Sequence, residues 1–372
     1  KNVFMKNDNA NSRRKFLQWA TVIAYPSVPS MLLNACGAGG DGIGSILGDL
    51  TLVGGGTTPV TQATECNPTK LSLTAKPVKA VFVPGKIPTA ANAWAYVNTS
   101  KVTAPTPLLS SHFGPTIDVR RKSTLSVTWN NGLSATAPGS GYQENPPINP
   151  TPGYNAVCGT VAAQSPVGIV IHLHGARVNG GYDGWPLSPL GYIGNPYNLP
   201  TSSTYVYPND QRAAMIWYHD HSLDNTATNV FAGLAGLYVI RDSFDDALMA
   251  LLGGSAQEKM MAVYDRILQA NNLGVDYNNG RVLDTTVYSA IRAEYMGSGN
   301  FINGNPASAA DANYDRRMYR IRLLCAANAR SYTFALYDPT ALNAGTGRIW
   351  YSDAITIIGA DQGFAGKAVP LA

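Results

Sequence analysis

Two short runs, His172-Leu173-His174-Gly175 and Trp217-Tyr218-His219-Asp220-His221, hold four of the chain's five histidines, spaced two apart within each pair. Residues two apart project from one face when the backbone is an extended strand. A chain that uses these imidazoles together must therefore present them from β-structure, and two such strands make a surface of four imidazoles. Runs rich in β-branched and aromatic residues surround them: Ile117 to Trp129, Val167 to Leu173, Ala213 to Tyr218 and Leu234 to Ile240. Turn chemistry such as Asn130-Asn131-Gly132 and Pro138-Gly139 separates these runs. With 37 Gly and 24 Pro in 372 residues, many turns join short strands, which predicts an all-β fold of sandwiches or barrels. A brief helix is expected near Phe244 to Leu252. Tyr319 to Leu324 and Tyr332 to Leu336 are expected as central strands of a later sheet.

Neutral imidazole suits copper, zinc, iron and nickel, and divalent copper stands at the top of the intrinsic affinity order. Zinc sites draw on Cys or carboxylate ligands besides histidine. Neither an H-E-x-x-H nor a paired C-x-x-C motif occurs here, so the histidine pairs favour copper. Reading them as ordinary core or surface residues leaves the match between the two pairs unexplained.

Further motifs follow in a fixed order: Tyr207-Pro208-Asn209-Asp210-Gln211-Arg212 before Trp217, then Asn229-Val230-Phe231-Ala232-Gly233-Leu234-Ala235-Gly236-Leu237-Tyr238. Gly114-Pro115-Thr116-Ile117 with Asn130 and Leu133 lies upstream. Asp265-Arg266, Tyr319 to Leu324 with Arg330, and Ile358-Gly359-Ala360-Asp361-Gln362-Gly363 lie downstream. From roughly residue 68 to its end the chain resembles the multicopper oxidases, in their bacterial spore-coat laccase and bilirubin oxidase branch.

The resemblance implies cupredoxin-like Greek-key β-sandwich domains, a complete first one at 67–243 and part of a second at 244–372. It also implies half of a trinuclear copper centre. By the family's motifs, His172 is a ligand of the type 2 copper, His174 of a type 3 copper, and His219 and His221 serve the two type 3 ions. Asp183 follows His174 by nine residues in the turn Tyr182-Asp183-Gly184-Trp185, where the family carries an acidic residue. A carboxylate there relays the protons that oxygen reduction consumes, or orients a metal-bound water. The plainer reading is a tight Asp-Gly turn. Asp220, between two histidines, is expected to face the other way in a structural role. His112 lacks a paired partner and precedes a turn, outside the cluster.

The sequence departs from the family in one respect. A complete enzyme has a later domain with H-x-x-H-x-H and H-C-H segments, whereas no histidine follows His221 here and Cys325 has none beside it. The expectation is a truncated or partial multicopper oxidase, laccase-like, without its type 1 copper and inactive alone. The whole enzyme would take electrons from phenols, bilirubin-like pigments or metal ions and reduce O2 to water. Three alternatives stand beside it: a non-catalytic periplasmic copper-binding protein, one chain of a split oxidase completed by a partner chain, and a structural relative without metals.

Residues 1–35 are read as an export signal. Ser12-Arg13-Arg14-Lys15-Phe16-Leu17-Gln18 resembles a twin-arginine motif, and the apolar run Trp19 to Leu33 contains Pro26 and Pro29 and falls short of the ~20 residues that span a membrane. Leu33-Asn34-Ala35-Cys36 resembles a lipoprotein cleavage box, so anchoring through a lipidated Cys36 in the periplasm or cell envelope is expected. Residues 36–66 read as a Gly/Ser/Thr-rich tether. Its G-x-G-x-x-G match, Gly37 to Gly42, has no strand before it and no helix after it, so it is linker composition. The net charge of +4 arises in the first 35 residues, with five Lys or Arg against one acid; the remainder balances 22 against 22. That remainder lacks the basic excess of a nucleic-acid binder. Export permits a disulfide, for which Cys66 and Cys158 are the expected pair, leaving Cys325 as a buried thiol.

Overall fold

The computed structural model describes residues 59, 62–83, 85–89, 91–133, 168–191, 198–223, 226–266, 297, 299–306, 317–343, 347–350, 354–361 and 363–370, together with 3–6, 19–24, 283–284 and 290–291. Cys36, the 37–42 glycines, Pro138-Gly139, Cys158 and Val167 lie outside them.

Two five-stranded sheets enclose the core between residues 65 and 241. One runs Ser202–Tyr207, Leu125–Asn131, Lys70–Ala80, Ala93–Asn98, with Leu108–Leu109 beside Lys70–Ala80. The other runs Glu65–Cys66, Ile117–Arg120, Ala235–Arg241, Ala214–Asp220, Ile171–His174. Neighbours that are distant in sequence make this a sandwich of crossovers rather than a meander. Leu125–Asn131 buries every second residue, as a half-buried strand must. Between the sheets, Trp129 and Tyr96 from the first meet Tyr218 from the second, with ring centroids 5.3 and 5.6 Å apart.

The run Ile117 to Trp129, expected as one strand, is two. Lys122 adopts φ 65°, and the resulting corner sends Ile117–Arg120 to one sheet and Leu125–Asn131 to the other. The remaining expected strands appear as Ile171–His174, Ala214–Asp220 and Ala235–Arg241. The expected helix spans Ser243–Leu252, where the Asp242 carboxylate accepts from the Phe244 and Asp245 amides and Gly253, at φ 97°, closes the other end. A second helix, Thr226–Ala232, was not anticipated.

A seven-stranded sheet follows, ordered Asn305–Pro306, Gly299–Ile302, Glu258–Arg266, Arg317–Cys325, Trp19–Ala24, Thr356–Ala360, Gly363–Pro370. Thr333–Asn343 instead forms the middle of a separate three-stranded sheet with Val3–Lys6 and Gly347–Trp350. Trp19–Ala24, which the sequence placed in an export signal outside the fold, is thus paired inside it, between Arg317–Cys325 and Thr356–Ala360. A short apolar run rich in β-branched residues satisfies a sheet edge as readily as it satisfies a leader.

Six buried charges join the sandwich to this sheet. Arg241 donates to Asp118, Asp245 and Glu258; Arg320 and Arg322 both pair with Asp245 and Glu258. Burial alone would raise the pKa of Asp245 and Glu258, but the surrounding guanidinium groups outweigh it and hold both carboxyls down to about 2. At Asp118 burial wins over Arg241, and its carboxyl stays above the usual range. The apolar core is shared as well: Ala262, Tyr264, Phe301 and Ala326 belong to the same buried cluster as Trp94 and Tyr218.

Candidate metal centre

Ile171–His174 and Ala214–Asp220 pair antiparallel, in a register that sets His172 opposite His219 and His174 opposite Trp217. The two-residue period then turns all four cluster histidines to one face, away from the core that receives Leu173, Tyr218 and Asp220. His221, just past the strand end, stays in place because its amide donates to the Val170 carbonyl at 2.7 Å. The rings close into one group: His172 lies 5.6 Å from His174, 5.5 Å from His219 and 5.1 Å from His221, centroid to centroid. One ring nitrogen from each of His172, His174 and His219 falls within 4.8 Å of the others.

The hydrogen bonds behind the rings decide which nitrogens are free. His172 Nδ1 lies 2.5 Å from the Asp183 carbonyl, and His219 Nδ1 lies 2.7 Å from the Asp220 carbonyl. A carbonyl can only accept, so each Nδ1 carries the proton and each Nε2 keeps its lone pair for a metal. His174 Nδ1 sits 3.3 Å from His219 Nε2. Burial pushes the His219 pKa down to about 3 against the pull of the Asp220 carbonyl, and neighbouring imidazoles push it further. Burial and then His172 lower that of His174, with the Asp361 charge opposing them. Both rings are therefore neutral at neutral pH, the form that binds metal. A set of neutral imidazoles with outward lone pairs fits copper.

Asp183 lies beside the cluster, its carboxylate Oδ1 3.5 Å from His172 Nδ1 and half exposed. It closes the single helical turn Gly180–Tyr182, which Asn179 caps. Gly184 follows at φ 83°, and a side chain there would meet the Ile171 carbonyl at 2.2 Å. Only glycine lets the loop come this close to the strand. Asp220 is fully buried and turned away from the cluster. It accepts from the Val170 amide at 2.9 Å, the Ser222 amide at 3.0 Å and the Ser222 hydroxyl at 2.9 Å. His112 lies apart from the cluster, buried in a nest of Phe82, Phe113 and Tyr264 rings. Burial and then Arg266 hold its pKa well below the usual value.

Two residues near the site received no role from the sequence. Trp217 shares parity with His219, and its ring packs 4.1 Å from that of His219. That parity was the available signal. Asp361, whose charge opposes the lowering of the His174 pKa, follows the strand Thr356–Ala360; its motif at 358–363 was noted in the sequence, but without a role at this site. Cys66 is disulfide-bonded, with its partner outside the described residues, and Cys325 is a free, partly buried thiol whose pKa burial raises.

Residues 145–244 match the family profile described as multicopper oxidase. The chain is 30% identical over 265 residues to Multicopper oxidase LPR1 homolog 1 of Oryza sativa subsp. japonica, an alignment covering 70% of this chain and 40% of that protein. It is 29% identical to the laccase of Bacillus subtilis, covering 60% of this chain and 41% of the relative. With the bilirubin oxidase of Albifimbria verrucaria it shares 32% identity, over 46% of this chain and 27% of that one. The chain thus spans well under half the length of these curated relatives. Among solved structures, the McoA multicopper oxidase of Aquifex aeolicus aligns with a TM-score of 0.52 at 20% identity, covering 84% of this chain and 54% of its own. A laccase from Pediococcus acidilactici gives 0.51 at 20%, with coverages of 84% and 53%. These two likenesses establish the fold as the mostly β, cupredoxin-like architecture that the sequence implied.

Proposed function

From the premise that this chain carries a multicopper oxidase domain, we propose that it is the copper-holding first part of a laccase-like oxidase. His172 would hold the type 2 copper, and His174, His219 and His221 the type 3 pair. A later domain, or a partner chain, would supply the remaining ligands and the type 1 copper. When bound, the copper ions supply the one-electron steps that link oxidation of a phenol, a bilirubin-like pigment or a metal ion to reduction of O2 to water. The observation that carries this reading is the strand register, which gathers four imidazoles on one face with the Nε2 of His172 and of His219 left unprotonated.

The chain's own residues do the rest. The Asp183 and Asp220 carbonyls fix the imidazole orientations, and the core beneath the strands keeps water from their backs. The Asp183 carboxylate, exposed to solvent and beside His172, would take protons from water at Oδ1 and deliver them where oxygen is reduced. Residues 67–243 would be a complete cupredoxin-like domain and 244–372 part of a second. Export by the twin-arginine route with anchoring at Cys36 belongs to the same reading; cleavage there would take Trp19–Ala24 out of the sheet, and intact mass of the protein purified from the cell envelope tells the cleaved, lipidated chain from one that keeps the strand.

Copper titration of the purified chain tests the central claim. Tight uptake that falls in His172→Ala and His219→Ala, with no oxygen consumption on a phenolic dye, is the expected result. A wild-type chain that stays metal-free in excess copper would overturn the reading. Dye-dependent oxygen uptake by the chain alone would overturn the need for a further domain.

A further inference from the structure

Two of the four cluster imidazoles are fixed by a ring-nitrogen bond to a backbone carbonyl, His172 on Asp183 and His219 on Asp220, while His221 has its main chain held by the bond from its amide to Val170. His174 differs. Among the described residues its side chain has no hydrogen-bond partner except His219 Nε2, at 3.3 Å. That contact uses the His219 Nε2 lone pair that a metal would take, so it cannot hold His174 once an ion is bound. His174 is also the exposed member of the nitrogen triad. An exposed side chain without an anchor gives up rotamer freedom on binding, and this weakens the site.

Trp217 meets that need. It lies directly across the ladder from His174, with ring centroids 5.8 Å apart and planes tilted by 31°. The same indole lies 4.1 Å from the His219 ring, also at 31°. One flat, partly buried ring that packs against the core thus backs both imidazoles. We propose that Trp217 is the positioning residue of this centre: by contact with His174 and His219 together, its indole sets the spacing at which their free nitrogens share a copper ion. The proposal rests on the copper reading above, and it assigns to a side chain that ligates nothing, for His174, the task that backbone hydrogen bonds perform for His172 and help to perform for His219.

The test measures copper affinity by chelator competition, together with the electron paramagnetic resonance of the Cu(II)-loaded chain, in wild type, Trp217→Ala, Trp217→Leu and Trp217→Phe. Supporting partners of metal ligands are typically worth 10-fold to 100-fold in affinity. Trp217→Ala and Trp217→Leu are expected to lose about that much and to show an altered copper spectrum, because neither side chain has a flat face. Trp217→Phe, which keeps one, is expected to recover most of both. Leucine keeps the apolar bulk, so it guards against a fold defect in the alanine variant. Wild-type affinity and spectrum in the leucine variant would overturn the proposal while leaving the copper reading intact. A wild-type chain that takes up no copper would overturn both.

Discussion

Gly184 shows how narrowly the centre is built. Its φ of 83° and the 2.2 Å that would separate an added Cβ from the Ile171 carbonyl mean that any other residue pushes the Asp183 loop off the strand. Gly184→Ala should therefore cost about 1–3 kcal/mol of stability from backbone strain. It should also weaken copper binding about 10-fold by withdrawing the carbonyl that orients His172. Paired thermal melts and copper titrations check this; unchanged copper affinity would show that His172 does not depend on the loop. Much of the cluster was legible because its rule is local: spacing of two in a strand puts His172 with His174 and His219 with His221. Trp217 has the same parity, yet no spacing rule states that an indole will pack on an imidazole, so its place emerged only with the coordinates. Asp361 stood in a recognised motif, but its effect on His174 was beyond reach because it depends on how a distant sheet packs.

For an element, the decisive quantity is register. A slip of one residue between Ile171–His174 and Ala214–Asp220 would send the imidazoles into the core and Tyr218 into water. Asp220 ties the end of that pairing, gathering the Val170 amide and both donors of Ser222 on a fully buried carboxylate. Asp220→Ala leaves the Val170 and Ser222 amides unmet, while the Ser222 hydroxyl keeps the Gly168 carbonyl at 3.0 Å, and is expected to cost about 1–3 kcal/mol for each stranded amide. Hydrogen exchange should rise first at Val170 and Ser222, whereas protection unchanged at both would show that the strand end is held otherwise. Strand composition and turn residues made most elements readable. The corner at Lys122 was passed over although five polar residues, Arg120 to Thr124, interrupt the alternation there; β-branched residues on both sides suggested one strand, and the positive φ of Lys122 divides it. Trp19–Ala24 illustrates the opposite ambiguity: its composition serves a leader and a strand equally.

Across the whole molecule, the buried charges on Arg241, Arg320, Arg322, Asp118, Asp245 and Glu258 govern the response to acid. Asp245 and Glu258 have folded pKa values of about 2, below their unfolded values near 4. Their stabilisation is therefore complete above the unfolded values and is lost as pH falls from about 4 to about 2. Asp118, shifted upward, opposes this loss in part. The urea midpoint should be insensitive to pH in this respect above about 5 and should drop steeply below 4, with little dependence on salt because the pairs are buried. Asp245→Ala, which strands Arg320 and Arg322, should cost about 3–5 kcal/mol. An acid limb with the same slope in Asp245→Ala and wild type would refute this account. None of these partnerships could be read from the sequence, since residues far apart in the chain choose one another only after the sheets have met.

Tyr264 and Phe301 fill the same oily interior as Trp94 and Tyr218, so the boundary that the chain crosses near residue 243 is no seam in the packing. A cut made there would leave each half with a bare wall. The halves are thus expected to melt in a single step, and the histidine face draws part of its support from packing that lies beyond residue 243.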